Sequence, residues 1–447
     1  MEFLERFFNL KKNGTTVRTE ILAGITTFMT MAYILAVNPD IMSSAGMDKG
    51  AVFTATVLAA VLGSLVMGLV AKLPFALAPG MGLNAFFAFT VVQVMGYSWQ
   101  FALTAVFLEG IVFLALTAFN VRELIVNAIP VNMKYAVSAG IGLFIAFIGL
   151  KNAGIIVDNP ATLVSLTSNM SEGSVLVCLF GIIVIGVLYA LNIKGAILIG
   201  VLASTVIGLP LGITYMPDAI VATPPSLEPI MWKFEWSSIL DKYTIMNTEV
   251  SFWFLSKNMF IVLFTFLFVD MFDTVGTLVG VCSKAGMLTK DGKVPRVKQA
   301  LFADAIATTF GAMIGASTVT TYVESAAGVA EGGRTGLTAV SAAAMFFLAL
   351  FFSPIFMMIP AAATAPALFV VGLFMLSPIK QIDMEDFTEA IPAFFTIIMM
   401  PLCYSIADGI MFGMLSYVIL KACTGKYKEV SLTMYLLAVL FILKFAF

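Results

Sequence analysis

Five carboxylates interrupt sequence that is otherwise apolar: Glu109, Asp270, Asp273, Asp304 and Glu324. At membrane depth a carboxylate costs roughly 3 kcal/mol on insertion scales, so each is a candidate for function by default. Asp270 and Asp273 are three residues apart, which on a helix puts them on one face. The run Phe268-Val-Asp-Met-Phe-Asp-Thr-Val-Gly-Thr then carries two acids and two threonines in one polar stripe. The competing role for either acid is to cap or bridge a neighbouring helix. Glu324 sits just after Thr318-Val-Thr-Thr, whose β-branched side chains favour extended backbone; a carboxylate beside unwound chain has no packing reason to be there. Asn84 holds the matching place in Ala76-Leu-Ala-Pro-Gly-Met-Gly-Leu-Asn-Ala-Phe. Its amide donates and accepts at once, which suits an amide-like ligand edge or the bridging of two helices. Asp304 reads as a supporting group that steadies the broken stretch, and Glu109 as structural, with no partner in view. Phe86, Phe87 and Phe89 offer flat faces to a planar ligand, against the alternative of plain packing in a chain with 40 Phe.

Histidine is absent, so proton-linked chemistry falls to the carboxylates. The four cysteines, Cys178, Cys282, Cys403 and Cys423, lack CxxC spacing and read as small apolar packing residues. No metal or cofactor pattern and no Ser-His, His-rich or Cys-based constellation is legible, so no cofactor and no enzymatic reaction are expected.

The elements that must carry these residues follow from composition. Of 447 residues, 60% are apolar and 11% charged, whereas soluble domains carry about a quarter charged residues. Continuous apolar runs such as Ile183 to Leu191 exclude the alternating pattern of a membrane β-barrel, and the net charge of −2 gives no reason to expect a nucleic-acid partner. At about 20 residues per span, apolar runs fall near 20–37, 51–71, 75–95, 101–119, 132–150, 174–191 and 195–212, then 258–282, 299–315, 317–332, 335–354, 361–377, 388–404 and 407–422. The expected architecture is an all-α polytopic membrane protein of fourteen transmembrane helices.

Lysine and arginine placement tests that count, because positive residues concentrate in cytoplasmic loops. With a cytoplasmic N-terminus, eighteen Lys and Arg fall in inner segments and five in outer loops, Lys444 lying in the tail. Seven spans per half is odd, so the halves enter with opposite polarity, as in an inverted repeat with a site at the midplane. The third and tenth spans are the interrupted pair: Pro79, Gly80 and Gly82 disfavour a continuous helix in one, and Thr318-Val-Thr-Thr does so in the other. The chain thus divides into a cytoplasmic amphipathic N-terminus (1–19) kept in the mature protein, a first repeat (20–212), an extracytoplasmic loop (213–256), a second repeat (257–424) and a C-terminal apolar tail (425–447). The tail's run from Val430 is long enough either to lie on the membrane or barely to cross it. Glu331-Gly-Gly-Arg-Thr-Gly has no preceding strand and no GK[ST], so it is a span-end turn rather than a phosphate loop. The basic run Lys284 to Lys298 follows charge topology, with any anionic-lipid contact secondary.

Four motifs together, Ala78-Pro-Gly-Met-Gly-Leu-Asn-Ala-Phe-Phe, Val269-Asp-Met-Phe-Asp-Thr-Val-Gly-Thr, Phe302-Ala-Asp-Ala and Thr320-Thr-Tyr-Val-Glu-Ser-Ala-Ala-Gly, closely resemble the azaguanine-resistance (AzgA-like) purine permeases of the nucleobase:cation symporter family. The match runs from Arg18-Thr-Glu-Ile-Leu-Ala-Gly onward; the tail after Lys428 is outside it. The resemblance implies two inverted seven-span repeats, a core domain (spans 1–4 and 8–11) moving against a gate domain (spans 5–7 and 12–14), and often a homodimer. It implies proton-driven uptake of hypoxanthine, guanine or adenine through a cell membrane. By motif position Asp270 and Glu324 match the substrate carboxylates, and Asn84 and Asp273 the accessory or specificity positions. Related uracil and xanthine carriers often place a His near the acid of span 8, where this chain has Thr274; that disfavours the pyrimidine branch.

A purine base is planar and rich in N–H donors and ring-nitrogen acceptors. Glu324 is expected to accept ring N–H groups, Asp270 to pair with the opposite edge, and main-chain groups near Phe86 and Thr321 to complete the set, with helix N-termini stabilising partial negative charge. Burial favours the protonated carboxylate, which makes Asp270, Glu324 and the supporting Asp304 the candidates for proton coupling, in preference to sodium. The alternatives are a uracil or xanthine carrier, or an anion transporter, of the same fold. An anion carrier calls for a positive side chain beside the broken spans, and the nearest, Lys72 and Arg334, stand at span ends.

Overall fold

The computed structural model describes residues 2–119, 130–237, 240–244, 251–284, 287 and 294–446. Arg122 and most of the Lys284 to Lys298 run lie outside the described residues, as does Phe447 of the tail. Among the described residues, eight helical stretches are long and apolar enough to cross a membrane: Val17–Ser43, Lys49–Ala71, Trp99–Ala118, Val131–Asn152, Gly173–Ala190, Gly336–Met357, Ala361–Gln381 and Ile406–Cys423. Shorter apolar helices are Met81–Val94, Ala196–Gly208, Asn258–Met271 and Phe387–Leu402.

The expectation of an all-α fold needs one correction. Among the described residues, six short strands form three antiparallel pairs between the helices. Two pairs lie between spans: Ile156–Asn159 with Leu163–Leu166, and Leu240–Thr244 with Ser251–Leu255. The third lies inside the two stretches whose residues disfavour helix, Leu77–Pro79 with Val319–Thr321. Proline without an N–H and a run of β-branched residues give extended backbone in both, and each strand supplies the hydrogen bonds the other lacks.

The chain divides into two compact units. The first comprises Met1–Ala118, Asn192–Leu198 and Met216–Met358. It contains α1 (Glu2–Phe8), α2 (Val17–Met31), α3 (Ile34–Ser43), α4 (Lys49–Val66), β1 (Leu77–Pro79), α5 (Met81–Ala85, continued by wider π-type turns over Phe86–Val94) and α6 (Trp99–Ala118). Side-chain caps start its helices: Thr16 accepts from the Thr19 amide (3.2 Å) ahead of α2, and Asp48 from Ala51 (2.7 Å) ahead of α4.

The second unit comprises Phe119–Leu191, Ile199–Tyr215 and Ile359–Phe447. Its long helix Val131–Asn152, here α7, packs on Ala361–Leu376 and Phe387–Leu402. Gly142 and Gly372 bring the first two so close that a Cβ on either would strike the other's carbonyl, the small-residue contact that lets membrane helices pack tightly. At one end, buried Lys421 pairs with Glu389 (2.8 Å) and Glu429 (2.7 Å). Lys426 holds the capping carboxylate of Asp386 at 2.6 Å, and with the Thr388 hydroxyl and amide keeps it well below the usual carboxylate range.

In chain order after α7 come α8 (Gly173–Ala190, of the second unit), α9 (Ala196–Gly208, which starts in the first unit and continues in the second), α10 (Lys257–Lys284), α11 (Val297–Ile314), β6 (Val319–Thr321), α12 (Ser325–Ala330) and α13 (Gly336–Ala349), where β6 is the partner of β1 and the two strand pairs between spans supply β2 to β5. α11 ends at Gly315 in left-handed conformation (φ +91°), and the chain then runs extended into β6. β1 packs on α4, and β6 on α10 and α11.

Candidate functional site

The site is built on the β1–β6 crossing, wholly within the first unit. Leu77 faces Thr321, Ala78 faces Thr320 and Pro79 faces Val319. The ladder extends past both strands, with the Gly80 amide donating to Thr318 O (2.9 Å) and the Tyr322 amide to Ala76 O (3.1 Å). β1 runs on through Gly80 into α5, and β6 through Glu324 into α12, so each strand hands over directly to a short helix.

Hydroxyls tie this crossing to its surroundings by bonding to its buried polar groups. Ser317 donates to the Asn84 carbonyl oxygen. The Thr318 hydroxyl reaches Glu109 Oε2 at 2.6 Å, so the acid with no partner legible in the sequence is joined to the chain leading into β6. Tyr322 Oη donates to Pro79 O (2.5 Å), Thr308 Oγ1 to Val319 O (3.1 Å), and Ser325 Oγ accepts from the Ala76 amide (3.0 Å).

The predicted acids separate into two environments. Asp270 and Asp304 are fully buried. The Thr274 hydroxyl lies between them, 3.2 Å from Asp270 Oδ1 and 3.1 Å from both Asp304 oxygens. Asp273 and Glu324 are only partly buried. Asp273 interacts with the Thr320 hydroxyl and faces the charges of Asp304 and Glu324. Tyr33 Oη donates to Glu324 Oε1 at 2.6 Å, and the Thr30 hydroxyl to Glu324 O at 3.4 Å.

Asn84 is fully buried, its Nδ2 3.5 Å from Pro79 O. Phe86 is also buried and packs edge-to-face on Phe266 with ring centres 4.8 Å apart, so an aromatic neighbour already occupies one of its sides. Thr321 in β6 is buried, and its hydroxyl has no hydrogen-bond partner among the described residues. The structure therefore joins Asn84 to the tenth interval through Ser317, and sets Asp273 and Glu324 in one electrostatic field with Asp304.

Sequence reasoning missed Tyr33 and Glu20. Tyr33 stands at the break between α2 and α3 and is fully buried; the available signal was a polar-tipped aromatic in the apolar run Met31 to Val37. Glu20 is fully buried at the start of the first span and accepts from the amides of Arg334 (2.9 Å), Thr335 (3.3 Å) and Thr338 (3.1 Å) and from the Thr338 hydroxyl (2.6 Å). It holds the N-terminus of α13, where unpaired amides favour a carboxylate.

What this arrangement can do is bind a neutral polar molecule. Two partly buried carboxylates accept hydrogen bonds, a hydroxyl can donate or accept, and among the described residues no lysine or arginine bonds to these two carboxylates.

Comparison with known proteins follows the same line. The sequence profile of the Permease family matches residues 18–412. The adenine permease AdeP of Escherichia coli (strain K12) is 46% identical over 446 residues, 99% of this chain and 96% of that one. The guanine/hypoxanthine permease PbuG of Bacillus subtilis (strain 168) is 47% identical over 453 residues, 99% and 100% of the two chains. Among solved structures, the transmembrane domain of the cyanobacterium bicarbonate transporter BicA aligns with a TM-score of 0.63 over 88% of this chain and 97% of that chain at 16% identity, a likeness of fold alone.

Proposed function

The chain belongs to the Permease family, as a multi-pass membrane transporter, and from that premise we propose that it imports purine nucleobases of the hypoxanthine, guanine and adenine class by alternating access, driven by protons rather than sodium. The observation that carries the reading is the partly buried pair Asp273 and Glu324 beside the β1–β6 crossing, with Asn84, Phe86 and Thr321 around it. Glu324 accepts ring N–H groups; Asp273 and Asp270 serve the opposite edge, Asp270 acting through the Thr274 hydroxyl and Asp304 behind it. Main-chain groups of the two strand–helix junctions complete the set. The absence of histidine leaves the coupling proton to Glu324, Asp270 or Asp304.

The fourteen-span topology in two inverted repeats belongs to the same proposal. Beyond the eight long stretches, the remaining expected intervals hold α5 behind β1, α9, α10, α11, α12 behind β6, and the helix Phe387–Leu402. An antiparallel pair formed by the third interval of each half is what a two-fold axis in the membrane plane would generate, and this supports the repeat. In support of the core and gate division, the first unit covers the core intervals and the second the gate intervals, except that 195–198 of the seventh interval fall in the first unit. The protein is proposed to reside in the cell membrane with its N-terminus in the cytoplasm, in contact with lipid and as a homodimer.

Uptake of labelled purines into proteoliposomes under an imposed pH or sodium gradient tests the reading. Accumulation of hypoxanthine, guanine or adenine under the pH gradient is expected; no accumulation of any purine under either gradient overturns it. Glu324→Gln is expected to lower uptake by roughly a hundredfold, as loss of a charged hydrogen-bond partner does. Full pH-dependent uptake by that variant removes Glu324 from the mechanism.

A further inference from the structure

Tyr33 is a feature of the site that lies outside its sequence motifs. It lies in the turn between α2 and α3, remote in sequence from Glu324, and its ring is fully buried. A chain with 40 Phe and 11 Tyr can fill buried space without a hydroxyl. Here the hydroxyl bonds Glu324 Oε1 at 2.6 Å, the short distance of a charge-assisted hydrogen bond. Among the described residues it is the one side chain that donates to this carboxylate. Glu324 itself is the cap residue between β6 and α12, a position where the backbone is fixed by the strand pairing but the three side-chain torsions are not.

Resting on the nucleobase-transport reading, we propose that Tyr33 is a positioning residue that fixes the plane of the Glu324 carboxylate, holding Oε1 so that the remaining acceptor capacity faces the substrate. A carboxylate oxygen has two lone pairs and the group about four acceptor sites, so one donated bond orients it without exhausting it. Ala32 and Tyr33 keep helical dihedrals in the turn that joins α2 to α3, so the ring is carried on a backbone fixed from both sides. Thr30 fastens the same junction through the main chain, at 3.4 Å, and leaves the side chain free to turn. Removing the Tyr33 hydroxyl lets the carboxylate rotate among its torsional wells, which weakens substrate binding while the transport cycle itself proceeds.

The test compares Tyr33→Phe and Tyr33→Leu with the unaltered chain in proteoliposome uptake of labelled hypoxanthine and guanine, normalised to inserted protein. Loss of the hydroxyl is expected to raise KM roughly tenfold, as for loss of one hydrogen bond to a charged group, with Vmax retained. Phe and Leu should then raise KM alike. If Tyr33→Phe keeps the original KM and only Tyr33→Leu raises it, the ring packs and the hydroxyl does nothing, and the inference is overturned. A fall in Vmax with unchanged KM overturns it too. Failure of the unaltered chain to accumulate any purine would sink the transport reading and this inference together, whereas accumulation with an unmoved KM in Tyr33→Phe sinks the inference alone.

Discussion

At the scale of single residues, the acids were legible because they contradict their surroundings. In a chain with 11% charged residues, Asp270, Asp273, Asp304 and Glu324 stand out before any geometry is known. The partners of the site's polar residues were not legible: Tyr33 on Glu324, Thr320 on Asp273, Thr318 on Glu109 and Ser317 on Asn84 are hydroxyl residues, which enter membrane segments at little cost and leave no compositional trace. The pairs also join distant parts of the chain, Thr318 with Glu109 and Tyr33 with Glu324, and no local pattern encodes such a pairing. Thr274 shows what one hydroxyl can hold. It has a single proton to donate, and two buried carboxylates lie within 3.2 Å of it. In Thr274→Val a methyl group replaces the hydroxyl that both carboxylates share, which should cost about 1–3 kcal/mol, the range for a lost hydrogen bond to a carboxylate. Thr274→Ser keeps the hydroxyl and should recover most of it. Thermal unfolding of the purified protein checks this, and equal melting temperatures for Thr274→Val and the unaltered chain would remove the threonine from the stability of the site.

At the scale of elements, β1 and β6 follow from residue types, Pro79 in one and the β-branched Val319, Thr320 and Thr321 in the other. That these segments pair with each other follows from neither alone. An extended stretch at membrane depth must find donors and acceptors within the protein, and only another extended stretch supplies a matching ladder. The short helix that follows each strand depends on close packing rather than propensity. α12 is six residues long, too short to be stable by itself, and it lies against α2 at Gly328, where a Cβ would collide with the Thr27 hydroxyl and the Ala23 carbonyl. Gly328→Ala should therefore push α12 off α2 and carry Glu324 with it, at a cost of about 1–3 kcal/mol for an overpacked contact. The signature is a lowered melting temperature together with a raised KM for purine uptake. Loss of stability with an unchanged KM would mean that α12 can shift without moving the carboxylate.

At the scale of the whole molecule, the division into two units could not be read from hydropathy, because each unit collects separate stretches of chain and apolar runs look alike in both. Charge carries a different global message. Eighteen Lys and Arg against five assign every loop to a side, and ties between loops test the assignment within the first unit. Lys72 donates to Phe7 O (3.1 Å), Arg296 to Ala71 O (3.3 Å), and Lys194 pairs with Glu331, all between segments assigned to the cytoplasmic side. On the opposite side Thr54 donates to Pro225 O (2.8 Å), Glu235 accepts from Ser98, and the Glu235 amide donates to Thr104 (2.9 Å). Each of these ties joins segments that the proposed topology assigns to one side. The topology then makes a prediction for intact cells carrying a variant whose four cysteines are replaced. A single cysteine at Ser171, between the fifth and sixth spans, should react with a membrane-impermeant maleimide. Cysteines at Lys12 and Lys426 should react only after the membrane is permeabilised. A further cysteine at Ala446 decides the tail: labelling in intact cells means that Leu432–Ala446 crosses the bilayer, and protection until permeabilisation means that this helix lies on the inner face. Labelling of Lys12→Cys in intact cells would invert the orientation that the charge distribution requires.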